Sequence, residues 1–332
     1  MNHRRRVDQT GTGLFSLKIM NHSRPLVLAV GVILLLGSSF AFATPSFAVQ
    51  AAPRSSASIY VTTSSTGTAY SQGCTQGTSD ATSPIQSSEV ILDFGGQNSA
   101  GTGSITTFTS LILTYSQIAA YSDAFAQGYY ACTGAVTSVI LTLGVGTNDS
   151  AYQINGAGGT AWANSAVLAT KNLISTHGYS SQVTTVGASD MEPYFASDPT
   201  NTTLWLNGFS STNVGRIINF GSADGCPQTT YTNGACNGTW KQYDVWYLSW
   251  GNLWAMALPE IYYGTQSKQW TMISRYGYYS QSGRIVFDGP MTEYGANGTY
   301  SSLAAWNQFW ADINSGSSTA SNFTYATDIK HY

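Results

Sequence analysis

Asp190 and Glu192 stand two residues apart at the end of an apolar run, Val186-Gly187-Ala188-Ser189-Asp190-Met191-Glu192-Pro193. Residues i and i+2 of a strand project to the same face, so both carboxyl groups would emerge side by side where the strand ends. Hydrolysis of a glycosidic bond uses such a pair. A protonated acid meets the leaving oxygen, and a second carboxylate attacks, activates water or steadies the oxocarbenium-like transition state. Two neighbouring carboxylates in a half-buried pocket resist ionising together, which keeps a proton on one of them near neutral pH. Glu192, with the longer reach, is the expected acid, and Asp190 and Asp93 would hold and polarise the substrate or a water. The same residues also fit plainer roles: Asp190 as a helix N-cap with Glu192 in the first turn, or a calcium site completed by Asp224.

Other chemistries have little material in this chain. Beyond Ala43 the histidines are His177, at an expected helix end, and the penultimate His331. A Ser-His-Asp triad or a histidine metal site therefore lacks its parts, and no cofactor or metal is expected. Acids, in contrast, gather at the ends of apolar runs. Asp93 closes Val90-Ile91-Leu92-Asp93, Asp224 follows Arg216–Phe220, Glu260 lies in Leu258-Pro259-Glu260-Ile261-Tyr262, and Asp288 and Glu293 follow Arg284–Phe287.

The elements that must position these groups alternate. Strand-like runs are expected at 90–94, 138–145, 183–188, 216–220, 243–250, 257–262 and 284–287, with helical periodicity at 118–129, 162–178, 205–209 and 303–313. Apolar strands alternating with helices signal a parallel sheet covered by helices. Seven clear strands and an eighth favour an α/β fold of (β/α)8, TIM-barrel type, over an open sheet. Gly95-Gly96-Gln97 lacks the glycine spacing of a dinucleotide fingerprint. Active residues of such barrels sit at the C-terminal ends of the strands.

Residues 1–48 read as a secretory signal peptide: Arg4, Arg5, Arg6, Lys18 and Arg24 precede the apolar run Leu26–Leu36 and small-residue sites ending at Ala43 or Ala48. Met20-Asn21-His22 repeats Met1-Asn2-His3 and offers an alternative start; an uncleaved N-terminal anchor is the competing reading. Residues 49–87, rich in Ser, Thr, Ala and Gly, read as a flexible lead with one strand at 58–63, and 88–332 as the barrel. The expected product is secreted or held at the cell surface, with no stable membrane span after cleavage.

Beyond Ala43 there are eight basic and fifteen acidic residues, a formal charge of about −7. No basic stripe is present, which argues against a nucleic-acid partner. Four cysteines fit an oxidising compartment and no zinc spacing. Cys226 and Cys236 bracket a short loop, so that bridge is expected and, by elimination, Cys74 with Cys132. Aromatic residues are abundant, and Trp246, Tyr247 and Trp250, with Tyr262, Asp224 and Glu260, are expected to bind substrate, since flat rings suit sugar faces.

The Asp at the end of an opening strand (Asp93), the D-x-E on a central strand (Asp190, Glu192) and the late aromatic run Val245-Trp246-Tyr247 resemble glycoside hydrolase family 25 muramidases and related bacterial barrel domains. The resemblance covers roughly residues 88–315. It implies cleavage of N-acetylmuramyl linkages in peptidoglycan, with Glu192 as acid and Asp190 and Asp93 in support. The family's Asp-x-Asn near the last strand is replaced by Met291-Thr292-Glu293. Three functions stay open on the sequence: a secreted glycosidase acting on cell-wall or other extracellular polysaccharide, a catalytically inactive glycan-binding barrel, and an exported structural or interaction protein.

Overall fold

A computed structural model describes residues 50–331 apart from 99–102, 106–108, 151–153, 196–197 and 295–298. The expected signal peptide and its cleavage sites lie outside the described residues. Among the described residues no helix is long and apolar enough to cross a membrane.

The chain alternates strand and helix from its first described element. The strands are β1 (Ser56–Tyr60), β2 (Ser88–Gln97), β3 (Gly103–Ile105), β4 (Ile112–Thr114), β5 (Leu141–Asn148), β6 (Val183–Asp190), β7 (Ile217–Asn219), β8 (Ala255–Ala257), β9 (Met291–Thr292) and β10 (Thr327–His331). The helices are α1 (Thr66–Ala81), α2 (Tyr115–Cys132), α3 (Gly156–Ala161), α4 (Leu168–Thr176), α5 (Pro199–Ser210), α6 (Gln242–Trp246), α7 (Gly264–Ser280) and α8 (Ser302–Ile313). A π-helical turn, Trp162–Val167, joins α3 to α4, and another, Tyr247–Gly251, extends α6.

Eight of these strands run parallel in the order β8-β7-β6-β5-β2-β1-β10-β9, while β3 and β4 form an antiparallel extension of β2. Single parallel bridges from Ala257 to Phe287 and from Glu260 to Met291 return the β9 segment to β8 and close the ring. The expected (β/α)8 barrel is therefore the fold. Its wall has two apolar sides. Ile91, Val186, Ala188, Ile218, Phe220 and Leu258 fill the interior with Met291 and Ile329, whereas Val90, Leu92, Leu143 and Val145 pack outward against the helices. Burial on both faces explains why these strands read as apolar runs instead of alternating ones.

Register levels the strand exits. Tyr60 pairs with Asp93 and Asn148 with Asp190. Side chains alternate along β2, so Glu89, Ile91 and Asp93 point inward, with Asp93 at the C-terminal mouth and Glu89 near the opposite end.

Two sequence expectations are corrected. The flexible lead at 49–87 is instead the first β/α unit: β1 sits between β2 and β10, and α1 packs on α2. The buried face of α1 is Ala69, Gly73, Gln76, Gly77 and Asp80, a helical stripe of small and polar residues that hydrophobic periodicity does not register. The stripe exists because the two helices almost touch. A Cβ on Gly73 would lie 2.0 Å from the Phe125 carbonyl oxygen, and one on Gly128 would lie 2.0 Å from that of Tyr70. The Cys74–Cys132 disulfide ties the same crossing, and Cys226–Cys236 is the second bridge. Both pairings match the expectation.

The expected strand at 243–250 is α6 and its π-helical extension. The Asp244 carboxylate accepts from the Lys241 main-chain N–H at 2.8 Å, satisfying an orphan donor at the helix start. Burial falls on Val245, Trp246, Leu248 and Ser249, the spacing of a helix and not of a strand. The true next strand, β8, begins at Ala255. Further elements went unread, among them β3, β4, β9, α7 and the closing strand β10, which carries His331, and the expected strand at 284–287 reduces to the single bridge from Phe287 to Ala257.

Candidate active site

The turn after β6 is built by hydrogen bonds that leave its carboxyl groups at the barrel mouth. Asn219, the last residue of β7, accepts through Oδ1 from the N–H groups of Met191 (3.2 Å) and Gly221 (3.0 Å) and donates through Nδ2 to Ser249 (2.9 Å). One side chain thus stitches the exits of β6 and β7 together. The Glu192 N–H donates to Asp149 Oδ2 at 3.3 Å, and that oxygen also accepts from the Thr202 hydroxyl at 3.1 Å. Glu192 Oε2 in turn accepts from the Ser222 N–H at 2.9 Å.

Asp190, Glu192 and Glu260 converge. An oxygen from each lies within 4.8 Å of an oxygen from each of the others, and all three residues are buried. Glu260 Oε1 accepts from the Tyr262 hydroxyl at 2.8 Å. Asp190 Oδ1 is buried with no hydrogen-bond partner among the described residues. The three open into a pocket of about 380 Å³ whose other acids are Asp224 and Glu293, with Tyr60, Tyr194, Phe195, Tyr262 and Tyr263 among its rings. Tyr194 is 71% exposed, an aromatic face offered to whatever enters.

Burial without cationic partners sets the protonation of this cluster. Desolvation, and then the charge of Glu192, hold Asp190 and Glu260 well above the ordinary carboxylate range. Glu192 itself is pushed up to about 7, burial outweighing the Ser222 hydrogen bonds that favour its charged form. Asp93, buried with its carboxylate accepting from the Gly95 N–H at 2.8 Å, rises to about 6 through desolvation. Asp224 and Glu293 are raised less, again by burial first. The Tyr60 phenol is pushed upward by burial and by Glu260, so it stays a neutral donor.

Of the residues expected to be catalytic, Asp190 and Glu192 line the pocket. Asp93 stands at the exit of β2, with β5 between it and β6, close enough to raise the Asp190 carboxyl but beyond the pocket lining. Of the expected substrate contacts, Asp224, Glu260 and Tyr262 line the pocket and the aromatic trio does not. Trp246 donates through Nε1 to the Gly283 carbonyl at 3.1 Å, in the helical layer. Tyr247 hydrogen-bonds Asn207 at 2.9 Å and lines a separate groove of about 410 Å³ with Leu204 and Tyr243. Trp250 packs half-buried against the outer core. The reason is the helix at 242–251: without a strand there, none of these rings reaches the mouth.

Asp288 was expected at a strand exit, yet it precedes β9 and interacts with Glu89 near the opposite end of the barrel. Asp149 and Tyr60 were missed. Asp149 directly follows β5, whose end at Asn148 lies three residues beyond the expected one, and a correctly extended strand would have pointed to it. Tyr60 was hidden inside the presumed lead.

No family model matches the chain, and no curated protein matches it. Among solved structures, one described as a fungal β-1,4-galactanase is similar at 12% identity and a TM-score of 0.35, over 80% of this chain and 66% of that chain. The match thus spans just under two thirds of the galactanase's length.

Proposed function

We propose that this protein hydrolyses O-glycosidic bonds of an extracellular polysaccharide, with Glu192 as general acid and Glu260 as the opposing carboxylate. The observation that carries the reading is the convergence of Asp190, Glu192 and Glu260 within 4.8 Å inside an open, aromatic-rimmed pocket. A glycosidase needs one carboxyl protonated and one ionised, and burial with mutual repulsion keeps protons on part of this cluster. Glu192, held near 7, can carry a proton at mildly acidic pH and lose it during the reaction. Glu260 receives the Tyr262 hydroxyl, which stabilises a negative charge on it.

Carboxyl groups this close match the short separation of retaining enzymes, about 5–5.5 Å, better than the longer gap that accommodates a water in inverting ones. Retention of anomeric configuration is accordingly the expected outcome. Tyr194 and Phe195 would stack on sugar rings leading into the cleavage point. Two disulfides suit an oxidising, extracellular setting.

Peptidoglycan cleavage of the muramidase kind is supported by the D-x-E pair and by Asp93 at the exit of β2, across β5 from it. The test is a reducing-end assay with purified protein on peptidoglycan, chitin, chitosan, galactan and other polysaccharides, run beside Glu192→Gln. Release by wild type and its loss in the variant support the proposal. Binding without release by any substrate would make the protein a glycan-binding barrel instead.

A further inference from the structure

The pocket carries more carboxyl groups than hydrolysis needs. Five acids line it, Asp190, Glu192, Asp224, Glu260 and Glu293, and no Lys, Arg or His among the described residues does. The internal segments outside the described residues contain no basic residue either. One imidazole borders the site: His331 stacks on Tyr60 at 4.6 Å, with Nε2 3.9 Å from Glu293 Oε1. The adjacent ammonium of Lys330 is paired with Asp328 at 3.0 Å.

Two of the five carboxyls suffice for bond cleavage. Asp190 remains, more than nine-tenths buried, lining the pocket, with Oδ1 unpartnered. Asp224 acts electrostatically on both Glu192 and Glu260, and Glu293 acts on Glu260. Buried charge is retained only where something compensates it. With a neutral glycan these carboxyls keep the protons that burial favours, whereas a bound cation lets them ionise and accept its hydrogen bonds, and an anionic glycan finds no cationic partner among the described lining residues. A protonated amine supplies the missing positive charge and three hydrogen-bond donors.

We propose, resting on the glycosidase reading above, that the preferred substrate is a glycan with unacetylated amino sugars, whose ammonium groups dock against Asp190, Asp224 and Glu293. Uronic acid polymers are disfavoured in the pocket by the same lack of a cationic partner. Charge complementarity of this kind governs partner choice and salt dependence.

The experiment is calorimetric titration of the full mature chain carrying Glu192→Gln with glucosamine hexamer, N-acetylglucosamine hexamer, a galactose oligomer and an oligogalacturonate, at low and high salt. Calcium chloride alone serves as a separate arm. Glucosamine hexamer is expected to bind at least about tenfold more tightly than the acetylated one, the preference shrinking with salt. In wild-type turnover, Asp224→Asn and Glu293→Gln should each reduce the ratio of kcat/KM for chitosan over chitin. Equal binding of the acetylated and free-amine hexamers overturns the proposal. So does stoichiometric calcium binding that blocks the glucosamine oligomer, which would make the cluster a metal site. Hydrolysis of neutral glycans with no amine preference overturns this inference and leaves the glycosidase standing. Tight amine binding with no hydrolysis of any glycan does the reverse.

Discussion

The Ser222 main-chain N–H donates to Glu192 Oε2 at 2.9 Å, so the exit of β7 holds the carboxyl that leaves β6. Glu192 is thereby fixed in direction while its other oxygen remains for the pocket. Burial outweighs that bond, and Glu192 still sits near 7.

Replacing Glu192 by Gln keeps shape and the Ser222 contact but removes the transferable proton. Turnover of the best polysaccharide substrate should fall by about 10²- to 10⁴-fold, the usual contribution of a general acid. Thermal unfolding of the variant should be unchanged or slightly raised, since a buried carboxyl is removed. Full activity in the variant would move the acid elsewhere in the cluster.

Activity should fall as pH rises through about 7, where Glu192 loses its proton. The alkaline limb of a kcat/KM profile on a neutral substrate measures this value in the free enzyme. A limb set well below pH 5 would contradict the buried environment of the acid.

Stability should fall with rising pH as well. The buried carboxyls Glu89, Asp93, Asp149, Asp190, Glu260 and Asp288 all have folded pKa values above their ordinary ones, reaching about 6 at Asp93 and about 7 at Asp288. Groups raised on folding bind more protons in the native state. Their favourable contribution is complete below the ordinary values near 4 and is lost as pH climbs through the folded ones. Denaturant titrations at pH 4.5 and pH 8 should therefore give the higher unfolding free energy at pH 4.5.

Glu89 offers a local version of that effect. It is fully buried, and both carboxyl oxygens lack a hydrogen-bond partner among the described residues. Glu89→Met should stabilise the protein at pH 8 by about 1–3 kcal/mol, the penalty of an unsatisfied buried polar group, with a smaller gain at pH 4.5. A loss of stability at pH 8 would show that Glu89 makes a compensating contact.

The glycine after Phe220 governs site geometry. A Cβ on Gly221 would lie 2.7 Å from Asp190 Oδ1 and 2.7 Å from the Met191 carbonyl oxygen. Gly221→Ala should push Asp190 out of the cluster and lower kcat by about 10²-fold, the scale of a 1 Å misplacement. Single-turnover kinetics beside a melting curve separate this from global unfolding.

Sequence by itself determined much of the frame and pointed to carboxylate chemistry. Carboxylates, scarce histidine and strand-end spacing singled out Asp190, Glu192 and Asp93, with Glu260 as a substrate contact, and the bracketed loop led to both disulfides. These readings rest on local properties: residue type, i to i+2 geometry and apolar runs buried on two faces. Tertiary structure alone decided the rest. The α1 stripe of Gly73 and Gly77 makes sense only against Phe125 and Tyr129 of a helix far along the chain, so composition suggested a flexible lead where the barrel begins. Trp246, Tyr247 and Trp250 read as a strand because aromatic residues suit both states, and packing of that segment in the helical layer chose the helix. The convergence of Glu260 with the D-x-E, and the absence of any basic residue lining the pocket among those described, follow from ring closure. Closure brings β6, β7, β8 and β9 to one mouth, and no local pattern in the sequence encodes that distance.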